Sequence, residues 1–99
     1  MNKILLKKKI VDLLKEQEEI EKIIIFGSFN KSDLPNDLDI AVVQNSKENY
    51  INLALKYRKL LRVISKEIAI DIFPFIDKNE NSFFRNEVES GEVIYARGN

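Results

Sequence analysis

The 99-residue sequence has no cysteine, no histidine and no tryptophan, and only three glycines and two prolines. Without cysteine there is no disulfide scaffold and no thiolate metal site, a composition suited to a reducing, cytoplasmic setting. Without histidine the Ser/His/Asp and Cys/His catalytic arrangements, the usual zinc ligands and the commonest general base are excluded. Acid and base work therefore falls to carboxylates, lysine or tyrosine. An excess of either charge is also missing. Lys and Arg total 16 and Asp and Glu total 16, so no global field draws the chain onto nucleic acid or an anionic membrane, and any anion site must be local. The longest apolar runs are a few residues, and no apolar core interrupts the charges of the N-terminus. Neither a membrane span nor an export signal is expected.

What is there suits one soluble globular domain over residues 1–99, with 44% hydrophobic and 32% charged residues and neither linker nor internal repeat. A domain of this size buries roughly 60 to 70% of its unfolded surface, which leaves little excess stability and makes a covering partner useful.

Leu6, Ile10, Leu13 and Leu14 recur at helical spacing and predict an amphipathic helix over residues 3–20. Its lysines, Lys7, Lys8 and Lys9, lie early and its glutamates, Glu16, Glu18, Glu19 and Glu21, lie late, against the helix macrodipole; a solvated face is expected. Residues 22–26 form a β-branched run that ends at Gly27 and reads as a buried strand. A polar loop or short helical turn over 29–36 leads to a second strand at 38–43. Asn45 or Ser46 can cap a helix over 47–66 whose buried stripe is Tyr50, Ala54, Tyr57, Leu61 and Ile64. A third strand is expected at 67–75, then a helix started by Asp77 and Glu80, packed through Phe83 and Phe84 and closed by Gly91, and an extended tail over 92–96. The order is that of an α/β protein in two layers, a small sheet with helices packed on it.

The stretch FGSFNKSDLPNDLDIAVV, residues 26–43, carries the chemistry. Strand side chains alternate faces, so Asp37 and Asp39 point the same way with Cα atoms roughly 6.5 to 7 Å apart. Two such anions repel unless a cation coordinates both, and with only oxygen ligands the hard ions Mg²⁺ or Mn²⁺ are favoured over zinc. Asp71 interrupts the apolar run IAIDIFPF, where burying a charge is expensive. If the strands are neighbours, Asp71 adds a third carboxylate, enough for two metal ions about 3.5 to 4 Å apart in a phosphoryl displacement. Gly27 lets backbone N–H groups approach an anion and the Ser28 hydroxyl can donate to phosphate. Lys31 is the nearest cation of the loop, free to contact a triphosphate or simply to carry surface charge.

These residues resemble the signature of the DNA polymerase β-like nucleotidyltransferase superfamily: a Gly-Ser turn, an Asp-x-Asp and a third Asp on a later strand. The length, the element order and the ending FFRNEVESGEVIYA are similar to the minimal nucleotidyltransferases (MNT), antitoxins found beside HEPN-domain toxins. The resemblance implies a nucleotidyltransferase fold with a mixed sheet of three to four strands. It also implies ATP as substrate on Gly27 and Ser28, two Mg²⁺ ions on Asp37 and Asp39, and Asp71 completing the metal site and activating the incoming hydroxyl. Transfer of AMP to a hydroxyl of a HEPN toxin, a tyrosine first, within a hetero-oligomer is the function it implies, with no direct nucleic-acid binding. Two other readings stay open: an antitoxin that masks its toxin by binding alone, and a catalytic subunit that modifies a small molecule or an RNA end. One departure stands out: only eight residues separate Ser28 from Asp37, a shorter connection than is usual in these proteins, without their usual loop Arg and Gly.

Overall fold

The computed structural model describes residues 2–76, 86 and 88–98. In chain order it contains α1 (Lys3–Leu14), β1 (Ile20–Phe26), a 3₁₀ turn (Gly27–Asn30), β2 (Asp37–Gln44), α2 (Tyr50–Leu60), α3 (Arg62–Ser65), β3 (Ala69–Phe75) and β4 (Glu92–Ala96). The strands form one mixed sheet in the order β3-β2-β1-β4. β1 is antiparallel to β2 and to β4, whereas β2 and β3 are parallel. A parallel pair needs a crossover, and α2 with α3 supplies it. Among the described residues no helix is long and apolar enough to cross a membrane.

Alternation along the strands sorts the apolar residues into two clusters. Leu38, Ile40 and Val42 of β2 and Ile23 and Ile25 of β1 pack under Leu6 and Ile10 of α1 and Leu53 and Tyr57 of α2. Each fully buried aliphatic there contributes about 1.5 to 3 kcal/mol. Ile24 and Phe26 of β1, Ala41 and Val43 of β2, and Val88 form a smaller cluster, separated from the first by the alternation of side chains along β1 and β2. Gly91 lets this segment lie directly on β1: a Cβ there would come within 2.7 Å of the Ile25 carbonyl.

The elements depart from the sequence expectation at their ends. The first helix stops at Leu14, and not near residue 20. Continuing it would stack Glu16, Glu18 and Glu19 at the negative end of the macrodipole. Tight turns replace it, through Leu14 O accepting from Gln17 N–H and Gln17 O from Ile20 N–H. Arg97 holds this corner, its Nε donating to Ile20 O at 2.9 Å and its Nη2 to Gln17 O at 3.0 Å. The second long helix is capped by Asn49, whose Oδ1 accepts from Asn52 N–H at 2.8 Å; Asn45 and Ser46 are not its cap. Ser46 instead bonds Glu48 N–H in a local turn that competes with helix. With the helix starting there, Leu53, four residues before Tyr57, faces the sheet, and Tyr50 in the first turn is 50% exposed, so the expected stripe is corrected to Leu53, Tyr57, Leu61 and Ile64. Residues 86, 88 and 89 are helical, and Gly91 N–H closes on Val88 O at 2.9 Å. The expected start of that helix at Asp77 and Glu80, and Phe83 and Phe84, lie outside the described residues.

A polar cluster ties α2 to the turn before β1. The hydroxyl of Tyr57, a fully buried side chain, donates to Glu19 Oε2 at 2.8 Å, and Lys56 Nζ donates to the same oxygen at 2.9 Å. Burial alone would raise the Glu19 pKa, but the bonds from Lys56 and Tyr57 prevail and hold it below its ordinary 4.5. The same burial and the carboxylate push the Tyr57 phenol far up. A depressed carboxylate stabilises the fold above its unfolded pKa and loses that contribution as pH falls through the folded value. Tyr57→Phe is expected to cost about 1 to 2 kcal/mol at pH 7 in denaturant titration. Glu19→Gln should remove part of the stability lost by the wild type on acidification below pH 4.5.

Candidate active site

Three strand ends meet at one edge of the sheet: the C-terminus of β1 and the N-termini of β2 and β3. Asp39 pairs with Phe26 of β1 on one side and with Asp71 of β3 on the other. The assumed neighbourhood of the second and third strands is therefore present, and in the register that sets Asp39 beside Asp71. Asp37 lies two residues back, on the same face of β2 as Asp39. This is also the face of Ala41 and Val43, away from α1 and α2.

Asp71 was expected to be costly because buried; it is exposed, as is Asp37, and only Asp39 is half-buried. The alternation in β3 explains this. Ile70 and Ile72 enter the core while Asp71 turns to the open face. The desolvation falls on Asp39 instead, and burial raises its pKa above the ordinary 3.8, helped by the charges of Asp71 and Asp37 and by a hydrogen bond shared with Asp71. On the flanking strands the rings of Phe26 and Phe73 lie 5.6 Å apart, tilted by 55°.

Gly27 closes the site from the β1 side. Its φ of 76° lies in the left-handed region, and a Cβ there would collide with Asp39 Oδ2 and stand 3.4 Å from Asp39 Cγ. Glycine is thus required both by the backbone and by the approach of the carboxylate. The 3₁₀ turn that follows has no side-chain cap, so its first N–H groups have no partner supplied by the turn itself. Ser28 is exposed, and its carbonyl accepts from the N–H groups of Lys31 and Ser32, both at 3.0 Å. The Lys31 side chain is exposed.

Two lysines of α1 reach this turn, and one of them, Lys7, is among those expected on a solvated face. Lys3 Nζ donates to Phe29 O at 2.6 Å and also to Ser32 O, and lies 5.0 Å from the centroid of the Phe29 ring. Lys7 Nζ stands 5.9 Å from the same ring and pairs with Glu92 at 2.5 Å. The i, i+4 spacing of the two lysines was the available signal, but their target, the buried Phe29, could not be known without the fold.

Among the described residues no group of three or more Asp, Glu, His or Cys is closed into metal-holding geometry. The carboxylates are neighbours rather than a shell. Their donor chemistry nevertheless suits a hard divalent ion: every donor is oxygen, and the repulsion at Asp39 is the kind a cation relieves.

The chain matches the model of the polymerase beta nucleotidyltransferase family over residues 8–99. A Methanocaldococcus jannaschii protein, named provisionally as a protein adenylyltransferase, is 33% identical over 97 residues, which cover 89% of this chain and 93% of that protein. A chain in the complex of tri-AMPylated Shewanella oneidensis HEPN toxin with MNT antitoxin superposes with a TM-score of 0.70 at 21% identity, over 95% of this chain and 72% of that one. A toxin–antitoxin structure with AMP-PNP gives a TM-score of 0.72 at 21% identity, over 92% and 73%. At these identities the likeness is one of fold.

Gly27→Ala is expected to lower stability by about 2 to 4 kcal/mol, from the left-handed backbone and the collision together. Because the Asp39 pKa is raised on folding, its ionisation weakens the fold, an effect absent below pH 3.8 and growing as pH rises through the folded value. Without metal, Asp39→Asn should therefore raise the melting temperature at pH 7, with the gain shrinking as pH approaches 3.8.

Proposed function

Because the chain belongs to the polymerase beta nucleotidyltransferase family, we propose that it transfers AMP from ATP to a tyrosine hydroxyl of a HEPN-domain toxin and so acts as its antitoxin. The observation that carries this reading is the register of β2 and β3, which sets Asp39 beside Asp71 and facing the Gly27–Asn30 turn. A relative named as a protein adenylyltransferase and the shared fold of MNT antitoxins support the choice of donor and partner.

In this reading the uncapped N–H groups and hydroxyl at Ser28 hold phosphate oxygens, with Gly27 allowing their close approach. Lys31 lies on the exposed loop beyond the turn and can meet the rest of the triphosphate. Asp37, Asp39 and Asp71 would hold Mg²⁺, which supplies neutralisation of the triphosphate and of the charge on the leaving pyrophosphate. Asp71, exposed on the open face, receives the proton of the acceptor hydroxyl. The hydroxyl oxygen forms its bond to the α-phosphorus as the bond from that phosphorus to the bridging oxygen of pyrophosphate breaks. The sheet holds the carboxylates in place, and positioning with electrostatics accounts for most of the catalysis in phosphoryl transfer. The exposure of Asp37 and Asp71 suits an acceptor presented by a second protein.

The test is intact-mass measurement of a HEPN-domain toxin after incubation with the chain, ATP and Mg²⁺. AMP adducts are expected on a tyrosine, reduced about 100-fold or more by Asp39→Asn with binding of the toxin retained. Tight binding and neutralisation without any adduct would show instead that the chain masks its toxin.

A further inference from the structure

We infer that Lys3 is a positioning residue for nucleotide binding: from the first turn of α1 it pins the Gly27–Asn30 turn and the start of the loop behind it. This rests on the reading of that turn as the phosphate site.

Besides Lys3, the bonds that hold the turn and loop are few: Asn30 Nδ2 donates to Ile25 O of β1 at 3.3 Å. Ser28 O takes two backbone bonds, and Ser32 Oγ accepts from Leu34 N–H at 3.2 Å. The carbonyls of Phe29, inside the turn, and of Ser32, just beyond it, both meet the Lys3 ammonium. An ammonium has three donors, so one side chain serves both carbonyls. Its charge also lies over the Phe29 ring, whose side chain is fully buried among Leu6 and Ile10 of the same helix. Lys7, one helical turn on, lies over the same ring and is itself fixed by Glu92 of β4. Turn, helix and edge strand are thus joined through one aromatic ring and two cations.

A lysine in the first turn of a helix works against the macrodipole, and α1 has no acidic residue there to offset it. Lys3 is half-buried, with its ammonium turned out of the helix onto the loop. Strand pairing holds Asp37, Asp39 and Asp71 without reference to Lys3. Loss of Lys3 therefore loosens the turn and leaves the carboxylates where they are. Ordering a loose loop is a cost charged to binding, so the effect falls on nucleotide affinity rather than on the chemical step.

The experiment compares wild type, Lys3→Met, Lys3→Gln and Lys3→Arg in AMP transfer to the toxin, with amide hydrogen exchange measured on the same proteins without nucleotide. Lys3→Met should raise the KM for ATP about tenfold with kcat within about threefold. Lys3→Arg, which can reach both carbonyls, should restore KM to within about threefold, and Lys3→Gln, with a weaker donor, should fall between. The amides of Lys31 and Ser32 should exchange about tenfold faster in Lys3→Met, with β2 unchanged. Unchanged KM and unchanged exchange would overturn the assignment, as would a loss of kcat equal in Lys3→Met and Lys3→Arg. If the wild type transfers no AMP, the transfer reading fails by itself. Exchange then decides whether Lys3 pins the turn: unaltered rates at Lys31 and Ser32 reject it and faster rates support it.

Discussion

The parallel pairing of β2 with β3 is the constraint on which the rest of the molecule depends. Parallel neighbours cannot be joined by a hairpin, so the chain must cross over, and the crossover is the α2–α3 segment that covers one face of the sheet. The same pairing sets Asp39 opposite Asp71, with Ile40 opposite Ile72 one step further along. Alternation then does the sorting: the isoleucines enter the core under the helices and the aspartates share the open face. The antiparallel return of β1 brings Phe26 to the other side of Asp39 and Gly27 against its carboxylate. One choice of strand neighbour thus produces the layered core and the cluster of carboxylates at its edge.

The fold treats its carboxylates in two opposite ways. Glu19 comes from a run of glutamates and is drawn in to a lysine and a buried phenol, which hold it ionised. Asp39 is partly buried beside two further carboxylates, and burial and their charges resist its ionisation. The first arrangement locks α2 onto the turn before β1. The second stores an unfavourable interaction where a cation would relieve it, and the buried core under α1 and α2 carries that cost without needing the site. Local conflict held by a sound scaffold is the usual condition of functional sites.

Much of this was legible in the residues. The runs over 22–26, 38–43 and 67–75 fall within the observed strands or overlap them, because β-branched and apolar runs bounded by glycine and turn residues leave few other options. The four-stranded mixed sheet agrees with the expected α/β layering. Element ends were less legible. Whether Asn45, Ser46 or Asn49 caps α2 is settled by which of several competing side-chain bonds closes best, a difference of a few tenths of a kcal/mol invisible in composition. Tyr50 shares the face of Tyr57, seven residues on, but it stands in the first turn of the helix, at the margin of the core, and is half exposed. The roles of Lys3 and Lys7 were not legible, because a lysine is identified by its partner and theirs lie more than twenty residues away.

The sequence by itself determined the chemistry available: no histidine or cysteine, carboxylates at positions 37, 39 and 71, and a Gly-Ser pair at the end of an apolar strand. It did so because residue type and spacing of two within a strand are local properties. Only the tertiary structure decided that β3 lies beside β2, that Asp39 rather than Asp71 bears the desolvation, and that Lys3 holds the turn. Those depend on strand order, register and the path of the crossover, which are set by the packing of the whole core and by no stretch of the chain alone.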